Sequence, residues 1–228
     1  MVIRADLHIH TEYSLDGRIP LDRLIQRACE LDLKAVAITD HNTITGALEL
    51  AGMDPPFKVI VGEEVAAVGG EIIGLFLKER VAPRMSLDET VAAIREQGGL
   101  VYLPHPVSRL VPSRVKAKLL EKALEAADIV EVVNGRTMFR ADQRRAAELA
   151  MQYDKPTAAG SDAHVMSDLG NCWVEMEEFD GPQDFLEKLR GARLVDNKKT
   201  SVPKAAYLTI VTFPLFFCEL CLGIRLTK

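Results

Sequence analysis

Short apolar runs alternate with helically spaced apolar positions along the first 160 residues. The runs have the length and composition of buried strands, and the spaced segments have one apolar face, as amphipathic helices do. Strands are predicted at 2–11, 35–39, 59–65, 71–77, 100–103, 128–133 and 157–159. Helices are predicted at 20–32, 43–51, 86–97, 113–126 and 139–153. This alternation with short connections predicts an α/β fold in which helices cover a parallel sheet.

Turn and cap residues mark several of these boundaries. Pro20 stands at the start of the first helix, and Ser86 with Glu89 forms the pattern of a capping box. Gly69 and Gly70 predict a hairpin-type turn between the third and fourth strands. The local signals and the apolar pattern therefore agree on where these elements begin.

The composition is that of a folded globular protein, with 48% hydrophobic and 27% charged residues among 228. This length supports one substantial core, so we expect one domain over 1–195 followed by a tail over 196–228. The net charge of −5 argues against a general polyanion-binding surface. Any contact with nucleic acid would be local, and no stable nucleic-acid complex is expected.

The cysteines and the N-terminus indicate the compartment. The first strand begins at once and contains Arg4 and Asp6, so it supplies no apolar signal-peptide core. A cytoplasmic location, with reduced thiols, is therefore expected. Cys218 and Cys221 have C-x-x-C spacing, but their apolar setting favours buried small side chains over a redox or zinc role.

Residues 205–224 are almost wholly apolar and are flanked by basic residues. Their length reaches the roughly 20 residues that span a bilayer. Pro214 and Glu219 lie within the segment, and a central charge costs about 2.5–3.5 kcal/mol on insertion. We therefore favour an apolar C-terminal helix that packs on the main domain or on a dimer partner over membrane insertion. Recovery of the protein in a carbonate-washed membrane pellet would reverse this preference.

Histidines and carboxylates recur where the predicted strands end. His8 and His10 lie one residue apart on the first strand, so their side chains project to the same side and can bind one metal ion. A single His-x-His is a weak signal. Further candidate donors lie at or just beyond the ends of this strand and later strands, with one at the start of a strand: Asp16, His41, Glu64, His105, Asp162 and His164, and Glu71.

A purely structural role is conceivable for some of these residues. His105 between two prolines has the setting of a structural histidine, and Asp16 beside Gly17 has that of a turn former. All five histidines, however, fall at strand ends or just beyond them. Nine oxygen or nitrogen donors exceed the need of one ion, and they favour two to three divalent ions of manganese, iron or zinc.

Donors at the carboxyl ends of strands indicate the rim on which barrel enzymes build their active sites. A closed or distorted barrel is therefore expected rather than an open doubly wound sheet. The loop after strand 100–103 carries Arg109, and the loop after strand 128–133 carries Asn134 and Arg136. Both loops should open on the same rim.

The ordered motifs around these donors resemble those of the PHP (polymerase and histidinol phosphatase) family. The similarity runs from residue 3 to about residue 195 and excludes the tail. It rests on the motifs DLHIHT at 6–11, SLDG at 14–17, TDHNT at 39–43, GEE at 62–64, LPHP at 103–106 and GSDAH at 160–164. The resemblance implies a distorted (β/α)7 TIM-like barrel, a trinuclear metal centre and phosphoesterase activity.

The resemblance also implies a division of the nine donors among three ions. The first ion would have the ligands His8, His10, Glu64 and Asp162, the second Asp16, His41 and His164, and the third His105 and Glu71, with Glu64 as a bridge. The family commonly has histidine where this chain has Glu71. A carboxylate therefore replaces an imidazole beside the third ion.

At such a site we expect a metal-bridging hydroxide as the nucleophile, because bound cations lower the pKa of water toward neutrality. No protein nucleophile is then required. Arg136 and Arg109 are candidates for binding the substrate phosphate, since guanidinium groups match phosphate oxygens. Asp40 is expected to support His41 rather than to bind a metal ion.

The leading hypothesis is a metal-dependent phosphoesterase acting on a phosphomonoester, which would be a nucleotide, a short oligonucleotide or a phosphorylated metabolite. A C–N hydrolase of the amidohydrolase type also opens with His-x-His, but it needs a bridging lysine at a strand end. Lys34 and Lys58 instead precede their strands. A non-catalytic metal-binding module is the third hypothesis; a degenerate site should have lost several ligands, whereas only Glu71 departs from the motifs. The sequence assigns no oligomeric state.

Overall fold

Nine strands and six α-helices form residues 1–198, the part of the chain that this computed structural model describes. The strands are β1 Val2–Ile9, β2 Leu33–Ile38, β3 Lys58–Ala67, β4 Gly70–Leu75, β5 Leu100–Leu103, β6 Ile129–Asn134, β7 Thr157–Gly160, β8 Cys172–Glu177 and β9 Arg193–Asp196. The helices are α1 Leu21–Glu30, α2 Thr45–Gly52, α3 Leu87–Glu96, α4 Leu120–Ala126, α5 Arg140–Gln152 and α6 Gly181–Leu189, with a 3-10 turn at Ala117–Leu119. The apolar helix predicted over 205–224 lies outside the described residues. Within residues 1–198, no helix combines the length and the hydropathy that crossing a bilayer requires.

One sheet contains all nine of these strands, in the order β7-β6-β5-β4-β3-β2-β1-β8-β9. Four neighbouring pairs are parallel: β1 with β2, β2 with β3, β5 with β6, and β6 with β7. β4 and β8 run against their neighbours, so the sheet is not wholly parallel; the hairpin predicted between the third and fourth strands is confirmed. For β4 the reason is the turn at Gly69 and Gly70, both with positive φ, because a tight hairpin reverses the chain.

The sheet curls into a nearly closed barrel because the end of β1 also reaches the segment after β7. The backbone N–H of Asp162 donates to the carbonyl of His8 at 2.8 Å, and that of His10 donates to the carbonyl of Ala163 at 2.9 Å. β9 lies beside β6 and β7 and narrows the remaining gap. The predicted distorted barrel is therefore confirmed, with its carboxyl rim closed by backbone hydrogen bonds.

Three apolar clusters hold the barrel and its helices together. The first fills the barrel beneath the rim and draws on alternate strand residues, among them Ala35, Ala37, Leu100 and Tyr102. The second packs α3, α4 and α5 against β4 to β6, and the third packs α1 and α2 against β1 and β2. Because these strands are buried on both faces, their sequences are nearly continuous apolar runs.

Most predicted elements form, with two differences. The capping box of α3 is present, since Ser86 Oγ accepts from the N–H of Glu89 and the Glu89 carboxylate accepts from the N–H of Ser86. The helix predicted over 113–126 begins as an α-helix only at Leu120, because the backbone of Ser113 is hydrogen-bonded to the β3–β4 hairpin. β8, α6 and β9 were not predicted from the sequence.

Gly160, the last residue of β7, packs directly against β1. A Cβ at this position would lie 2.3 Å from the Cβ of His8 and 2.8 Å from Oε1 of Glu131. We expect Gly160→Ala to push β1 and β7 apart and to lower the free energy of unfolding by about 1–3 kcal/mol, which corresponds to about 2–12 °C in melting temperature. Thermal unfolding followed by circular dichroism measures the shift.

Gly52→Ala is the matched control for this substitution. Gly52 ends α2, where an added Cβ would have no atom within 4 Å, and alanine favours a helix over glycine. Its melting temperature should stay unchanged or rise. An unchanged melting temperature for Gly160→Ala would contradict the close contact between β1 and β7.

Candidate metal centre

The nine predicted donors come together at the carboxyl rim of the barrel. β1 carries His8 and is followed at once by His10, and the other donors come from the segments after β1, β2, β5 and β7 and from the strands β3 and β4. Eight of the nine residues are buried, and the side chain of the ninth, His41, is only 9% exposed. Donors separated by more than 150 positions in sequence therefore share one buried site.

Glu71 joins the cluster because β4 runs in the opposite direction to β3. Its position near the start of β4 lies beside the end of β3, where it pairs with Ala66. Glu64, two residues before Ala66, faces the same side of the sheet because side chains alternate along a strand. The reversal of β4 thus explains how a residue at a strand start reaches the rim.

Potential ligand atoms form four overlapping groups, and within each group they lie within 4.8 Å of one another. The groups are His10, Asp16, His41 and His164; His8, His10 and Asp162; His8, Glu64 and His105; and His41, Glu64 and Glu71. Several residues belong to two groups, so the donors form one continuous cluster. Such continuity is what a polynuclear metal site requires.

The separations between donors fit divalent ions placed among them. Glu64 Oε2 lies 3.4 Å from His8 Nε2 and 3.3 Å from His10 Nε2, and Asp162 Oδ1 lies 3.5 Å from His10 Nε2. Ligands bound at about 2.0–2.2 Å around a tetrahedral ion lie about 3.3–3.6 Å apart. The donor set also contains the imidazoles and carboxylates that zinc, iron and manganese prefer. The residues therefore fit the ions that the sequence predicts.

Hydrogen bonds at Nδ1 direct Nε2 of three histidines toward the cluster. His8 Nδ1 contacts Glu131 Oε1 at 3.1 Å, and His10 Nδ1 contacts Ser14 Oγ at 3.2 Å. His164 Nδ1 lies 2.9 Å from a backbone carbonyl. Partners of this kind fix the tautomer and the orientation of a metal-binding imidazole.

Glu131 is a site residue that the sequence analysis missed. Its Oε1 contacts His8 and accepts from the hydroxyl of Tyr102 at 2.9 Å. Its Oε2 accepts from the N–H of His105 at 2.8 Å and from the amide of Asn134 at 2.9 Å. The available signal was a single carboxylate inside the apolar run of β6, because a buried charge needs partners.

Nearby carboxylates set the charge of the buried histidines. Burial lowers the pKa of His8, but Asp162 and the other acids outweigh it and hold this pKa well above its usual value. Burial is likewise outweighed at His41, where Asp16 and Glu64 raise the pKa to about 10. Without bound cations, both imidazoles are therefore protonated at neutral pH.

The carboxylates show the complementary pattern. Burial raises the pKa of Glu64, but His8 and His41 outweigh it and hold this pKa well below its usual range. Glu71 differs, because burial and the adjacent charge of Glu64 raise its pKa to about 7. A divalent cation among these groups would displace the imidazole protons and take over their role as partners of the acids.

Asp40 was expected to support His41. The structure places both of its carboxylate oxygens on Thr11, where Oδ1 accepts from the backbone N–H at 2.6 Å and Oδ2 accepts from the hydroxyl at 2.7 Å. Asp40 thereby ties the end of β2 to the segment that carries Asp16. The backbone N–H of His41 donates to Ser14 Oγ at 2.8 Å in the same segment. Asp40 therefore supports the position of His41 by holding this segment through Thr11.

The two arginines predicted to bind phosphate have different surroundings. Arg136 Nη1 lies 3.2 Å from Nε2 and 3.3 Å from Nδ1 of His164, so its guanidinium borders the donors. Arg109 Nε donates to Asp142 Oδ1 at 2.8 Å, and its guanidinium lies 4.3 Å from the centre of the Phe139 ring. The structure therefore brings Arg136 to the cluster and holds Arg109 against the start of α5.

Lys198 anchors the loop that carries Arg136. Its Nζ donates to the carbonyls of Asn134 and Thr137, both at 2.9 Å, and its side chain is only 8% exposed. The amide of Asn134 in turn donates to Asp162 Oδ2 at 3.1 Å. Lys198 was not predicted as a site residue, because it lies between the predicted barrel and the predicted apolar helix and its partners are backbone atoms.

Family models match two parts of this chain. The model of the PHP domain matches residues 6–132, and the PHP-associated model matches residues 140–194. The first range contains the donors of β1 to β5, and the second contains Asp162 and His164. The two matched ranges together therefore include all nine donors.

Related sequences are found among curated proteins. An uncharacterised protein of Methanocaldococcus jannaschii is 35% identical over 198 residues, which cover 82% of this chain and 79% of that protein. A second uncharacterised protein of this organism is 41% identical over 118 residues, 46% of this chain and 69% of that protein. A shorter match, 40% identical over 65 residues, reaches only 5% of the DNA polymerase III subunit alpha of Aquifex aeolicus.

Solved structures share the fold at low sequence identity. A two-domain Bacteroides vulgatus protein, described as containing a PHP-like metal-dependent phosphoesterase, has a TM-score of 0.69 and 16% identity over 93% of this chain and 70% of that chain. A metal-dependent phosphoesterase, so described, from Bifidobacterium adolescentis has a TM-score of 0.60 and 18% identity over 71% and 88% of the two chains. An amidohydrolase from Chromobacterium violaceum has a TM-score of 0.61 and 18% identity over 86% and 98%. The structures show the fold alone, whereas the match to more than half of the sequence shows that this chain belongs to the PHP domain family.

Proposed function

We propose that this protein is a metal-dependent phosphoesterase that hydrolyses a phosphomonoester at the carboxyl rim of its barrel. The substrate would be a nucleotide, a short oligonucleotide or another small phosphorylated metabolite, and two to three ions of manganese, iron or zinc would occupy the cluster. The observation that carries the proposal is the continuity of the four donor groups. Membership of the PHP domain family and the phosphoesterase descriptions of two solved structures support the same class of hydrolase.

When bound, divalent ions supply a Lewis acid for the phosphoryl oxygens and activate water at neutral pH. The residues of the chain position these components. The carboxylate oxygens of Glu64 lie 3.1–3.4 Å from four imidazoles, so Glu64 could be a ligand shared by neighbouring ions. Glu131 keeps His8 Nε2 directed inward, and the buried donors exclude bulk water from the floor of the site.

Arg136 is the residue best placed to bind the substrate phosphate. Its guanidinium borders His164, and it is held by a loop that Lys198 anchors at two carbonyls. A planar guanidinium can donate two parallel hydrogen bonds to phosphate oxygens. Arg109 would take part only after leaving Asp142, so we assign it the smaller contribution.

The two alternative functions make different demands on the site. Lys34 and Lys58 stand at the starts of β2 and β3, at the end of the barrel opposite the donors, so neither is placed as the bridging lysine of an amidohydrolase. A non-catalytic module needs no complete set of buried donors, yet all nine gather here. Assays of p-nitrophenyl phosphate and nucleotide bisphosphates with manganese, beside a panel of amides, discriminate between these functions. Amide hydrolysis without phosphate release would overturn the proposal.

Arg136→Ala is expected to lower kcat/KM for a phosphomonoester by about 100-fold, equivalent to about 2.7 kcal/mol, chiefly through a higher KM. The physical reason is the loss of a charged donor to phosphate, while the metal ligands stay in place. Steady-state kinetics with p-nitrophenyl phosphate measures the effect, and the metal content of the variant shows that the cluster is intact.

Arg145→Ala is the control for this variant, because Arg145 is an exposed residue of α5 that pairs with Glu148 at 3.1 Å. Its kinetics should match those of the unaltered protein. Arg109→Ala should reduce kcat/KM by less than about tenfold, as expected for a residue held by Asp142. An Arg136→Ala variant with unchanged KM and kcat would contradict its assignment to phosphate binding.

A further inference from the structure

Glu71 forms a carboxylate-rich end of the donor cluster. Its Oε1 lies 3.6 Å from His41 Nδ1, and its Oε2 lies 3.9 Å from His105 Nε2. Glu64 faces the same two rings, with Oε2 3.3 Å from His41 Nδ1 and Oε1 3.1 Å from His105 Nε2. We term Glu64, Glu71, His41 and His105 the Glu71 pocket. Two carboxylates in this pocket thus lie between two imidazoles.

Glu71 is fixed in the barrel wall and is not a surface acid. The residue is 2% exposed, and its backbone N–H donates to the carbonyl of Ser113 at 3.0 Å. Its Oε1 is buried and has no hydrogen-bond partner among residues 1–198. An unsatisfied buried polar atom is destabilising, so a cation ligated by this oxygen would remove an unfavourable feature of the fold.

The donor group next to the Glu71 pocket, which shares His41 with it, has a different donor chemistry. The group of His10, Asp16, His41 and His164 contains three imidazoles and one carboxylate. Imidazole suits zinc and iron, whereas carboxylate oxygens suit manganese and magnesium. The cluster therefore contains two coordination environments that prefer different ions.

We propose that the Glu71 pocket takes a hard divalent cation, manganese in the test below, while the imidazole-rich end retains zinc or iron. The protein then holds a mixed cluster, in which the ion beside Glu71 is the exchangeable one because oxygen donors bind zinc less strongly than imidazoles do. This inference rests on the metal-dependent hydrolase proposed above and specifies the class of ion at one of its positions.

The test is equilibrium dialysis of metal-free protein against zinc and manganese, followed by mass spectrometry of the bound metals. Manganese is supplied in about a hundredfold excess, because zinc binds more tightly to most donor sets. The unaltered protein is expected to bind about one manganese per chain beside its zinc. Glu71→His should lower the ratio of manganese to zinc at least about tenfold by converting the position to a zinc site, and Glu71→Gln should lose manganese without gaining zinc.

Glu12→His is the matched control, since Glu12 is an exposed residue of the loop after β1 and the variant also gains one imidazole. Its metal ratio should equal that of the unaltered protein. Uptake of zinc alone by the unaltered protein, or an unchanged ratio in Glu71→His, would overturn the inference. Metal content does not depend on turnover, so manganese bound through Glu71 in a protein that hydrolyses no phosphate ester would support this inference and overturn the proposed function.

Discussion

Glu64→Gln is expected to lower kcat/KM for phosphomonoester hydrolysis by about a thousandfold or more, equivalent to about 4 kcal/mol. Glu64 is the acid with the most histidine partners in the cluster. Its Oε2 lies 3.4 Å from His8 Nε2, 3.3 Å from His10 Nε2 and 3.3 Å from His41 Nδ1, and its Oε1 lies 3.1 Å from His105 Nε2. Glutamine keeps the shape of the side chain but removes its charge and one ligand oxygen. The variant should therefore lose metal ions as well as activity.

Glu63→Gln provides a control of the same chemical change one residue away. Glu63 is equally buried, but its Oε2 accepts from the N–H of Val81 at 2.7 Å, and glutamine can accept the same hydrogen bond. Its activity and its metal content should stay within about threefold of the unaltered protein. Kinetics and metal analysis of both variants provide the test. Equal losses of activity in the two variants would show that the loss reflects folding. Full activity of Glu64→Gln would contradict the central role of Glu64 in the cluster.

Removal of the bound ions with a chelator is expected to lower the melting temperature by about 5–11 °C for each ion. An ion present at 100 times its Kd stabilises the fold by about 2.7 kcal/mol. Each kcal/mol changes the melting temperature by about 2–4 °C in a domain of this size. Asp16 Oδ1 and Glu71 Oε1, buried without hydrogen-bond partners among residues 1–198, are the atoms that an ion would satisfy.

The difference in melting temperature between the ion-free and the ion-loaded protein should increase as the pH rises. In the ion-free fold the pKa of His41 is raised from 6.5 to about 10. Its protonated ring therefore contributes stability that is fully present below about pH 6.5 and is lost as the pH rises toward 10. Metal ions compete with these protons for the imidazole nitrogens, so metal binding becomes stronger as the pH rises over the same range.

Differential scanning calorimetry at about pH 6.5 and about pH 8.5, with and without manganese, measures both effects. The melting temperature of the ion-free protein should fall between the two values, and that of the ion-loaded protein should fall less. Glu64→Gln serves as the control, because a protein that has lost its ions should respond little to a chelator. Equal melting temperatures with and without metal would contradict a metal centre built into the fold.

The donors of β1 were the most predictable part of the site. His8 and His10 project to the same side because side chains alternate along a strand, and this alternation is a local property of the chain. The same reasoning placed His41 and Asp162 at the ends of apolar runs that become β2 and β7. Each of these inferences needs only a few neighbouring residues, which is why the apolar pattern was sufficient.

Glu71 and Glu131 mark where this reasoning ends. Glu71 reaches the donors because β4 is antiparallel to β3, and the turn at Gly69 and Gly70 predicts this reversal but not the register that pairs Glu71 with Ala66. Glu131 contacts His8 because the barrel curls until β7 meets β1, as the hydrogen bond from Asp162 to His8 shows. Both contacts depend on the register between strands and on the closure of the barrel, and both of these are set by packing between distant segments.

The surroundings of the arginines were equally beyond the sequence. Arg109 and Arg136 each follow a strand, and Arg136 was favoured because it comes directly after Asn134 and Gly135, but neither segment shows which side chain its arginine contacts. Only the folded chain pairs Arg109 with Asp142, at the start of α5, and sets Arg136 beside His164 on a loop that Lys198 holds. Pairings of this kind join residues more than 25 positions apart, so the local pattern carries no record of them.

The amino-acid sequence alone was enough to predict the alternation of strands and helices, the barrel and the nine candidate donors, because periodicity and strand-end motifs are contained in short stretches of the chain. The folded structure was needed to find β8, the register that brings Glu71 to the donors, the support that Glu131 gives to His8, and the carboxylate-rich pocket around Glu71. These features arise when distant strands pair in a particular order and direction, and that arrangement minimises the free energy of the whole barrel rather than of any one segment.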